Sequence, residues 1–265
     1  MLLNEFMHLN TMKKLSITFY LKFMMNRLWI FIFLFLNQTS ILSAGEPIYI
    51  AYTANLNGML EMCRCRPDEL GSMVQLSGII DSLRTEYPGL ILLDNGDFFK
   101  TYPNPTANHL AFELMSLLKY DAMGVGDQEF VEGISFLNYR WHNFPMMLLS
   151  ANIKFIQSTS KFFKSYLIIE RAEYNIGIVS VLPPAAFEFI VRPNLQILAV
   201  EETLSTVLDD LIPRCDIMIL LYHAGYKEAL KVAQKFPQLF HLSSAKLSIT
   251  RLFASLWLFP TLFLA

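Results

Sequence analysis

The sequence lacks an excess of charge of either sign. Its 265 residues include 21 Lys and Arg against 23 Asp and Glu, which gives a formal net charge of -2 and a pI near 6.2. Domains that bind nucleic acid usually carry a basic patch or stripe, and so do segments that bind anionic membrane surfaces. We therefore expect no nucleic-acid partner and no polybasic membrane contact.

The body of the chain also lacks linkers. No internal repeat, low-complexity stretch or Gly/Ser-rich segment interrupts residues 47–240. With 54% hydrophobic and 14% aromatic residues, the chain has enough apolar side chains for one sizeable core. One principal domain is predicted over residues 45–240.

Strongly apolar segments are confined to the two ends of the chain. Near the N-terminus, Lys22 and Arg27 precede nine apolar residues at 28–36, and small and polar residues lead to Ala44. Nine residues cannot cross a bilayer, which needs about 20. A basic start, a short apolar run and a small-residue exit are typical of a secretory signal. Residues 1–44 are therefore predicted to be an export signal, with an uncleaved anchor as the alternative.

Export sets the expected location of the protein. Met25 would give the signal a conventional length, so residues 1–24 are interpreted as an over-extended start. The body of the chain is then expected in the periplasm or at the cell surface.

Short apolar runs alternate with amphipathic stretches along the body, which is typical of an α/β fold. In the first half, the pattern predicts strands at Ile48–Thr53, Leu90–Asp94, Asp121–Val125 and Met146–Ser150. Between them it predicts helices at Gly71–Glu86, Ala107–Lys119 and Val131–Tyr139. In the second half, Tyr166–Arg171 and Asn175–Leu182 are predicted to form a hairpin at a sheet margin. A helix at Glu201–Leu211, a strand at Asp216–Tyr222 and a helix at Lys227–Gln234 are predicted to follow. The hairpin implies a mixed sheet.

Polar residues follow five of the predicted strands. In open α/β sheets, reactive groups gather just beyond the carboxyl ends of strands. The residues at these positions, strand by strand, are Asn55 and Asn57; Asn95, Gly96 and Asp97; Gly126, Asp127, Gln128 and Glu129; Asn152; and His223 and Gly225. This regularity indicates a site at one edge of the sheet.

Five blocks of sequence surround these strand ends: TANLNG at 53–58, LLDNGD at 92–97, YDAMGVGDQEF at 120–130, MLLSANI at 147–153 and LLYHAG at 220–225. In this order they resemble the calcineurin-like metallophosphoesterases, and within them the UshA-like group of secreted 5'-nucleotidases and 2',3'-cyclic phosphodiesterases. The resemblance implies an αββα sandwich with mixed β-sheets and two-metal hydrolysis of phosphoesters.

Three residues match metal-ligand positions of the family. Asp97 stands at the bridging aspartate, His223 at the histidine after the late strand, and Asp127 where the family has asparagine. The resemblance thus implies a divalent cation of the Mn, Fe or Zn class, bound with a phosphate-bearing small molecule. The alternatives are that Asp97 caps a turn and that His223 is a hydrogen-bonded structural histidine.

Other positions depart from the family pattern. Asn55 and Asn57 stand where the family has Asp and His, and an amide oxygen is a weak, neutral ligand. Gln128 replaces the catalytic histidine, and glutamine can donate a hydrogen bond but cannot move a proton. The family's closing GHxH block is also missing, with FHLSS at 240–244 in its place. We predict at most one well-held ion and hydrolysis that is weakened or lost.

The cysteines offer a different function. Cys63 and Cys65 lie beside the degenerate first block, as in a family subset described as UshA-like selenoproteins, which the chain resembles most. These thiols could form a disulfide with each other or with Cys215, or act in thiol redox or metal handling. A non-catalytic binding module for a phosphate-bearing ligand is a third hypothesis.

Residues 241–265 form an apolar tail interrupted by Arg251 and Pro260. The tail is interpreted as an anchor or docking segment, as the out-of-frame end of a truncated gene, or as a natural short form. Truncation is favoured because the family similarity stops abruptly. Membrane contact is expected only through the N-terminal segment or this tail, and the substrate and oligomeric state are left open.

Overall fold

The computed structural model describes residues 24, 25, 27, 47–61, 72–143, 146–156, 162–188, 194–243 and 262–264. The chain divides into two units, Met1–Glu46 and Pro47–Ala265, and the fold below is that of the second. Within these described ranges, no helix combines the length and apolar character needed to cross a membrane. Most of the predicted export signal and most of the predicted tail lie outside the described residues, and so do Cys63 and Cys65.

Strands and helices alternate in the first half of the domain, as predicted. The strands are β1 (Ile50–Thr53), β2 (Ile91–Asp94), β3 (Ala122–Gly124), β4 (Leu148–Leu149), β5 (Ile153–Phe155), β6 (Tyr166–Arg171), β7 (Tyr174–Val181), β8 (Leu195–Ile197), β9 (Ile217–Tyr222), β10 (Phe240–Ser243) and β11 (Leu262–Leu264). The helices are α1 (Met73–Glu86), α2 (Pro105–Leu117), α3 (Ile134–Asn143), α4 (Val200–Leu211) and α5 (Tyr226–Lys235).

These strands form two main sheets. The first has the order β11-β1-β2-β3-β4, and β1 to β4 are parallel while β11 pairs antiparallel with β1. The second has the order β10-β9-β7-β6, in which only β6 is antiparallel to its neighbour. A separate antiparallel pair joins β5 to β8.

The two sheets pack face to face, and helices cover both outer faces. Alternate residues of a strand point to opposite faces of a sheet. In β2, Ile91 and Leu93 accordingly pack against Ile178 and Leu221 of the second sheet. Leu92 instead joins the outer cluster with α1, α2 and α3, and α4 and α5 pack on the second sheet. The predicted α/β sandwich of helix, sheet, sheet and helix is confirmed.

Local sequence fixes where the first two helices begin. The Ser72 hydroxyl accepts a hydrogen bond from Gln75 N at 3.1 Å, and the Gln75 side chain accepts one from Ser72 N, which makes a capping box. The Oδ1 atom of Asn104 caps α2 by accepting a hydrogen bond from Ala107 N, with Pro105 in the first turn. Both residues therefore stabilise helix ends.

The structure adds elements that carried no prediction. The strands β5, β8, β10 and β11 are short or lie beyond the matched blocks, so periodicity gives little signal for them. The predicted hairpin is present, but only β6 lies at the sheet margin. Its partner β7 is an interior strand because it also pairs in parallel with β9.

Candidate metal centre

Four strands of the two sheets end at the same place. The loops after β1, β2, β3 and β9 carry Asn57, Asp97, Gln128 and His223, respectively, and their side chains meet there. Backbone hydrogen bonds tie the first two loops together, from Asn57 N to Asp97 O at 2.9 Å and from Asn55 N to Gly96 O at 3.0 Å. The polar residues that are dispersed along the sequence thus line one cleft.

Three side chains in this cleft could hold a metal ion. Nε2 of His223 lies 3.2 Å from Oδ2 of Asp97 and 3.8 Å from Oδ1 of Asp127. The three ligand atoms of Asp97, Asp127 and His223 all lie within 4.8 Å of one another. Asp97 and His223 are buried and Asp127 is half-buried. Two carboxylates and an imidazole suit a borderline divalent cation.

A backbone carbonyl fixes the orientation of the His223 ring. Nδ1 of His223 lies 2.8 Å from the carbonyl oxygen of Asn95, which can only accept a hydrogen bond. Nδ1 therefore carries the proton and Nε2 faces the carboxylates, which is the tautomer that a metal ligand needs. Asn95 in turn donates from Nδ2 to the carbonyl of Tyr222 at 3.0 Å. One residue thus joins the loop after β2 to the end of β9.

The buried carboxylate of Glu129 holds the two loops that carry the aspartates. It accepts hydrogen bonds from Asp97 N at 3.0 Å, from Phe98 N at 2.8 Å and from Gly126 N at 2.7 Å. Glu129 is fully buried and lies on the short turn that follows Asp127. Glu129 therefore joins the loop after β2 to the loop after β3.

Close packing around Asp97 requires glycine at position 126. A Cβ atom there would lie 2.1 Å from Oδ1 of Asp97 and 2.9 Å from Cε1 of His223. Gly96 also adopts a φ of +88°, a region that side chains other than glycine rarely adopt. The two glycines therefore allow the loops after β2 and β3 to approach each other.

The amide side chains occupy the other side of Asp97. Nε2 of Gln128 donates to Oδ2 of Asp97 and to Oδ1 of Asn57, both at 3.0 Å. Nδ2 of Asn57 donates to the carbonyl oxygen of Asn55 at 2.7 Å. Asn55 and Asn57 have φ values of +54° and +51°, a region in which Asn, Asp and His are enriched.

Burial raises the pKa of three carboxyl groups near the centre: to about 7 for Asp94, about 6 for Asp127 and about 8 for Glu129. The charge of Asp97 raises the pKa of Asp127 and Glu129 further. Burial lowers the pKa of His223, but the hydrogen bond and charge of Asp97 outweigh burial and raise that pKa to about 9. Without a cation, the centre therefore holds protons at pH values where free side chains would have lost them.

These raised pKa values predict a loss of stability with rising pH. The folded protein binds more protons than the unfolded chain between about pH 4 and pH 9, so the free energy of unfolding falls across that interval. With chelator present, we expect a loss of at least about 3 kcal/mol, or about 10 °C in Tm, between pH 5 and pH 9, since one group with a pKa raised by about two units contributes that much by itself. Scanning calorimetry at pH 5, 7 and 9 measures this change.

Added Mn²⁺ provides the control for this pH dependence. A cation replaces protons on its ligands, so Mn²⁺ should restore most of the lost Tm at pH 8 and little at pH 5. A Tm that is constant or rises from pH 5 to pH 9 in chelator would contradict the prediction.

The structure brings together most of the residues that the sequence proposes. Asp97, Asp127, His223, Gln128 and Asn57 share the cleft. Asn55 contributes its backbone carbonyl to Asn57. Asn152, also at a strand end, bonds the backbones of Leu182 and Leu198. Cys63 and Cys65 lie outside the described residues, and the half-buried Cys215 forms no disulfide within the part of the chain that the structure describes.

Asn95, Gly126 and Glu129 lie at the predicted strand ends, but the sequence analysis did not predict their specific roles. The signal that could have found them is their position within the matched blocks, since Asn95 lies in LLDNGD and the other two in YDAMGVGDQEF. Their roles depend on partners in other loops.

Comparison with known proteins agrees with this architecture. The chain is 27% identical to 5'-nucleotidase of Rattus norvegicus over 182 residues, which are 63% of this chain and 30% of the relative. It is 32% identical to Protein UshA of Salmonella pullorum over 111 residues, which are 39% of this chain and 20% of the relative. The crystal structure of calcineurin-like phosphoesterase YfkN from Bacillus subtilis matches with a TM-score of 0.62 at 19% identity, over 74% of this chain and 71% of that chain.

The chain has the fold of the 5'-nucleotidase metallophosphoesterases. These matches support the superfamily that the five sequence blocks predict. No protein-family model matches the chain, and the chain spans less than a third of the length of the two curated relatives named above. Three possible ligands at the strand ends of a metallophosphoesterase fold fit the divalent cation that the resemblance implies.

Proposed function

We propose that this chain is an exported metallophosphoesterase-like protein whose cleft binds one divalent cation together with a phosphate-bearing small molecule. The observation that carries the proposal is the convergence of Asp97, Asp127 and His223 within 4.8 Å. The relatives named 5'-nucleotidase support a nucleotide as the first ligand to test. The signal-like segment at residues 1–44 supports export to the periplasm or cell surface.

The ligand set fits a single cation. Asp97 and Asp127 supply negative charge, and His223 presents Nε2 because its Nδ1 is held by Asn95. Such a cation would neutralise phosphate charge and acidify a water molecule. The buried setting of Asp97 and His223 strengthens both their mutual interaction and their interaction with a charged ligand, since the local dielectric is low.

Hydrolysis is proposed to be weakened or lost. The family that this chain resembles has a histidine at the position of Gln128, which donates a hydrogen bond or a proton to the phosphate ester. The Gln128 amide can donate hydrogen bonds, but it cannot transfer a proton. Loss of a general acid or base costs on the order of 10²–10⁴ in rate. Binding without turnover, or with slow turnover, is therefore the expected behaviour.

Isothermal titration of the full chain with AMP, with Mn²⁺ or with EDTA present, tests this function. We expect binding in Mn²⁺ that weakens at least tenfold in EDTA and in His223→Ala, because both remove the cation that holds the phosphate. Phosphate release from AMP and from p-nitrophenyl phosphate is measured on the same samples, and we expect slow or no release.

His142→Ala is the matched control, because His142 is an exposed histidine on α3. It should bind AMP as the unchanged chain does. AMP binding that is equal in Mn²⁺ and EDTA would contradict the proposal, and so would rapid phosphate release that His223→Ala leaves intact.

A further inference from the structure

The side chain of Gln128 has a fixed orientation next to the candidate metal centre. It is only 8% exposed, and its amide nitrogen donates to Asp97 Oδ2 and to Asn57 Oδ1. Asn57 cannot turn its amide around without losing its own hydrogen bond to the Asn55 carbonyl. Oδ1 of Asn57 therefore faces Gln128 and requires a donor from it.

The opposite orientation of the Gln128 amide would be unfavourable. It would set the carbonyl oxygen of Gln128 against the carboxylate of Asp97 and against Oδ1 of Asn57. In the observed orientation, Oε1 of Gln128 is buried and has no hydrogen-bond partner among the described residues. An unpaired buried acceptor is unfavourable, so the two donated hydrogen bonds must outweigh that cost.

Asp97 Oδ2 lies between two different neighbours. It is 3.2 Å from Nε2 of His223, on the side of the candidate cation, and 3.0 Å from Nε2 of Gln128. A second cation that used Asp97 and residue 57 as ligands would have to approach the same two oxygen atoms that the Gln128 amide already engages. Asn57 would offer that cation only a neutral oxygen.

We propose that the side-chain amide of Gln128 takes the place of a second cation beside Asp97, so that the centre holds one ion. The NH₂ group supplies two hydrogens with partial positive charge to the oxygens of Asp97 and Asn57. The inference rests on the proposed function only in assuming that the cleft binds a cation through Asp97, Asp127 and His223. It adds that the number of ions is set by residue 128 as well as by the missing ligands.

The backbone allows stronger ligands to be introduced at positions 55 and 57. Both residues have positive φ values, in a region where Asp and His are enriched as Asn is. Asn55→Asp/Asn57→His therefore adds a carboxylate and an imidazole with little expected strain. Adding Gln128→Ala to this pair removes the amide without adding any ligand.

The test counts Mn²⁺ ions in the full chain by elemental analysis and by electron paramagnetic resonance. We expect one ion in the unchanged chain, one in Asn55→Asp/Asn57→His, and two with a spin-coupled signal once Gln128→Ala is added. Gln234→Ala, at an exposed residue of α5, is the matched control for Gln128→Ala and should leave the count at one. Two ions in Asn55→Asp/Asn57→His would overturn the inference, and so would equal counts before and after Gln128→Ala.

The comparison separates this inference from the proposed function. If the unchanged chain binds no ion, the proposed function is wrong. The inference about Gln128 is decided separately, by whether Asn55→Asp/Asn57→His binds one more ion once Gln128→Ala is added. If circular dichroism shows that a combined variant does not fold, a second measurement uses the unchanged chain. Nuclear magnetic resonance then follows the side-chain amide signal of Gln128, which is assigned by its absence from the spectrum of Gln128→Ala. Slow hydrogen exchange that persists in saturating Zn²⁺ supports the inference, and fast exchange on Zn²⁺ addition overturns it.

Discussion

Asp97→Ala is expected to weaken Mn²⁺ binding by more than about 100-fold. Loss of a residue that only supports a metal ligand costs up to about 100-fold in affinity, and Asp97 is a proposed ligand itself. Asp97 supplies the oxygen that lies closest to Nε2 of His223, and its other oxygen accepts from the backbone of Gln128 at 3.2 Å. The substitution removes a charged ligand and leaves His223 and the Gln128 amide without their shared partner. Titration with Mn²⁺, followed by electron paramagnetic resonance, measures the change in Kd.

Asp81→Ala is the matched control for this substitution. Asp81 is an exposed aspartate on α1, so its removal changes the net charge equally without touching the cleft. It should bind Mn²⁺ with the Kd of the unchanged chain. A change of less than tenfold for Asp97→Ala would mean that the ion, if bound, uses other ligands, and the candidate centre would be wrong.

Glu129→Ala is expected to cost about 3–5 kcal/mol of the free energy of unfolding. The substitution leaves the backbone N–H groups of Asp97, Phe98 and Gly126 buried without an acceptor. Each unsatisfied buried donor costs on the order of 1–3 kcal/mol, and partial entry of water reduces the sum. Urea unfolding at pH 9 with chelator present, where a pKa of about 8 leaves Glu129 ionised, measures the loss independently of any metal.

Glu129→Gln separates the hydrogen-bond geometry from side-chain size. Glutamine has one acceptor oxygen, so its NH₂ group must face at least one of the three backbone donors. We expect a loss of about 2 kcal/mol, between the unchanged chain and Glu129→Ala. Mn²⁺ affinity should fall about 10–100-fold in Glu129→Gln, because the loops that carry Asp97 and Asp127 are then less firmly held.

Glu202→Gln is the control for both Glu129 variants, since Glu202 is an exposed residue of α4. A surface change of this kind usually alters stability by no more than about 0.5 kcal/mol. If Glu129→Ala unfolds at the same urea concentration as Glu202→Gln, the clamp formed by Glu129 does not stabilise the fold.

Hydrophobic patterning was enough to predict the main architecture. The strands β1, β2 and β9 are short apolar runs buried on both faces, and α1 has its apolar residues at spacings of three and four. Periodicity carries this information because it depends only on neighbouring residues. It carried none for β10 and β11, whose places in the sheets depend on pairing with β9 and β1.

The features of the candidate site likewise fall into those that the sequence predicts and those that it does not. The chemistry of each side chain follows from the sequence: Asn55 and Asn57 carry no charge, and Gln128 cannot move a proton. Their position after strands indicated a shared cleft. Which atoms face each other did not follow, because the hydrogen bonds of Gln128 to Asp97 and Asn57 span 31 and 71 residues.

The sequence by itself determined the α/β architecture and the types of donor atom available to a metal ion. Only the tertiary structure decided that Glu129 clamps two loops and that Asn95 orients His223, a contact that spans 128 residues. It also decided that the Gln128 amide faces Asp97. The physical reason is that composition and periodicity are local properties, whereas hydrogen-bond geometry in a buried cleft is set by the packing of two sheets that bring distant loops together.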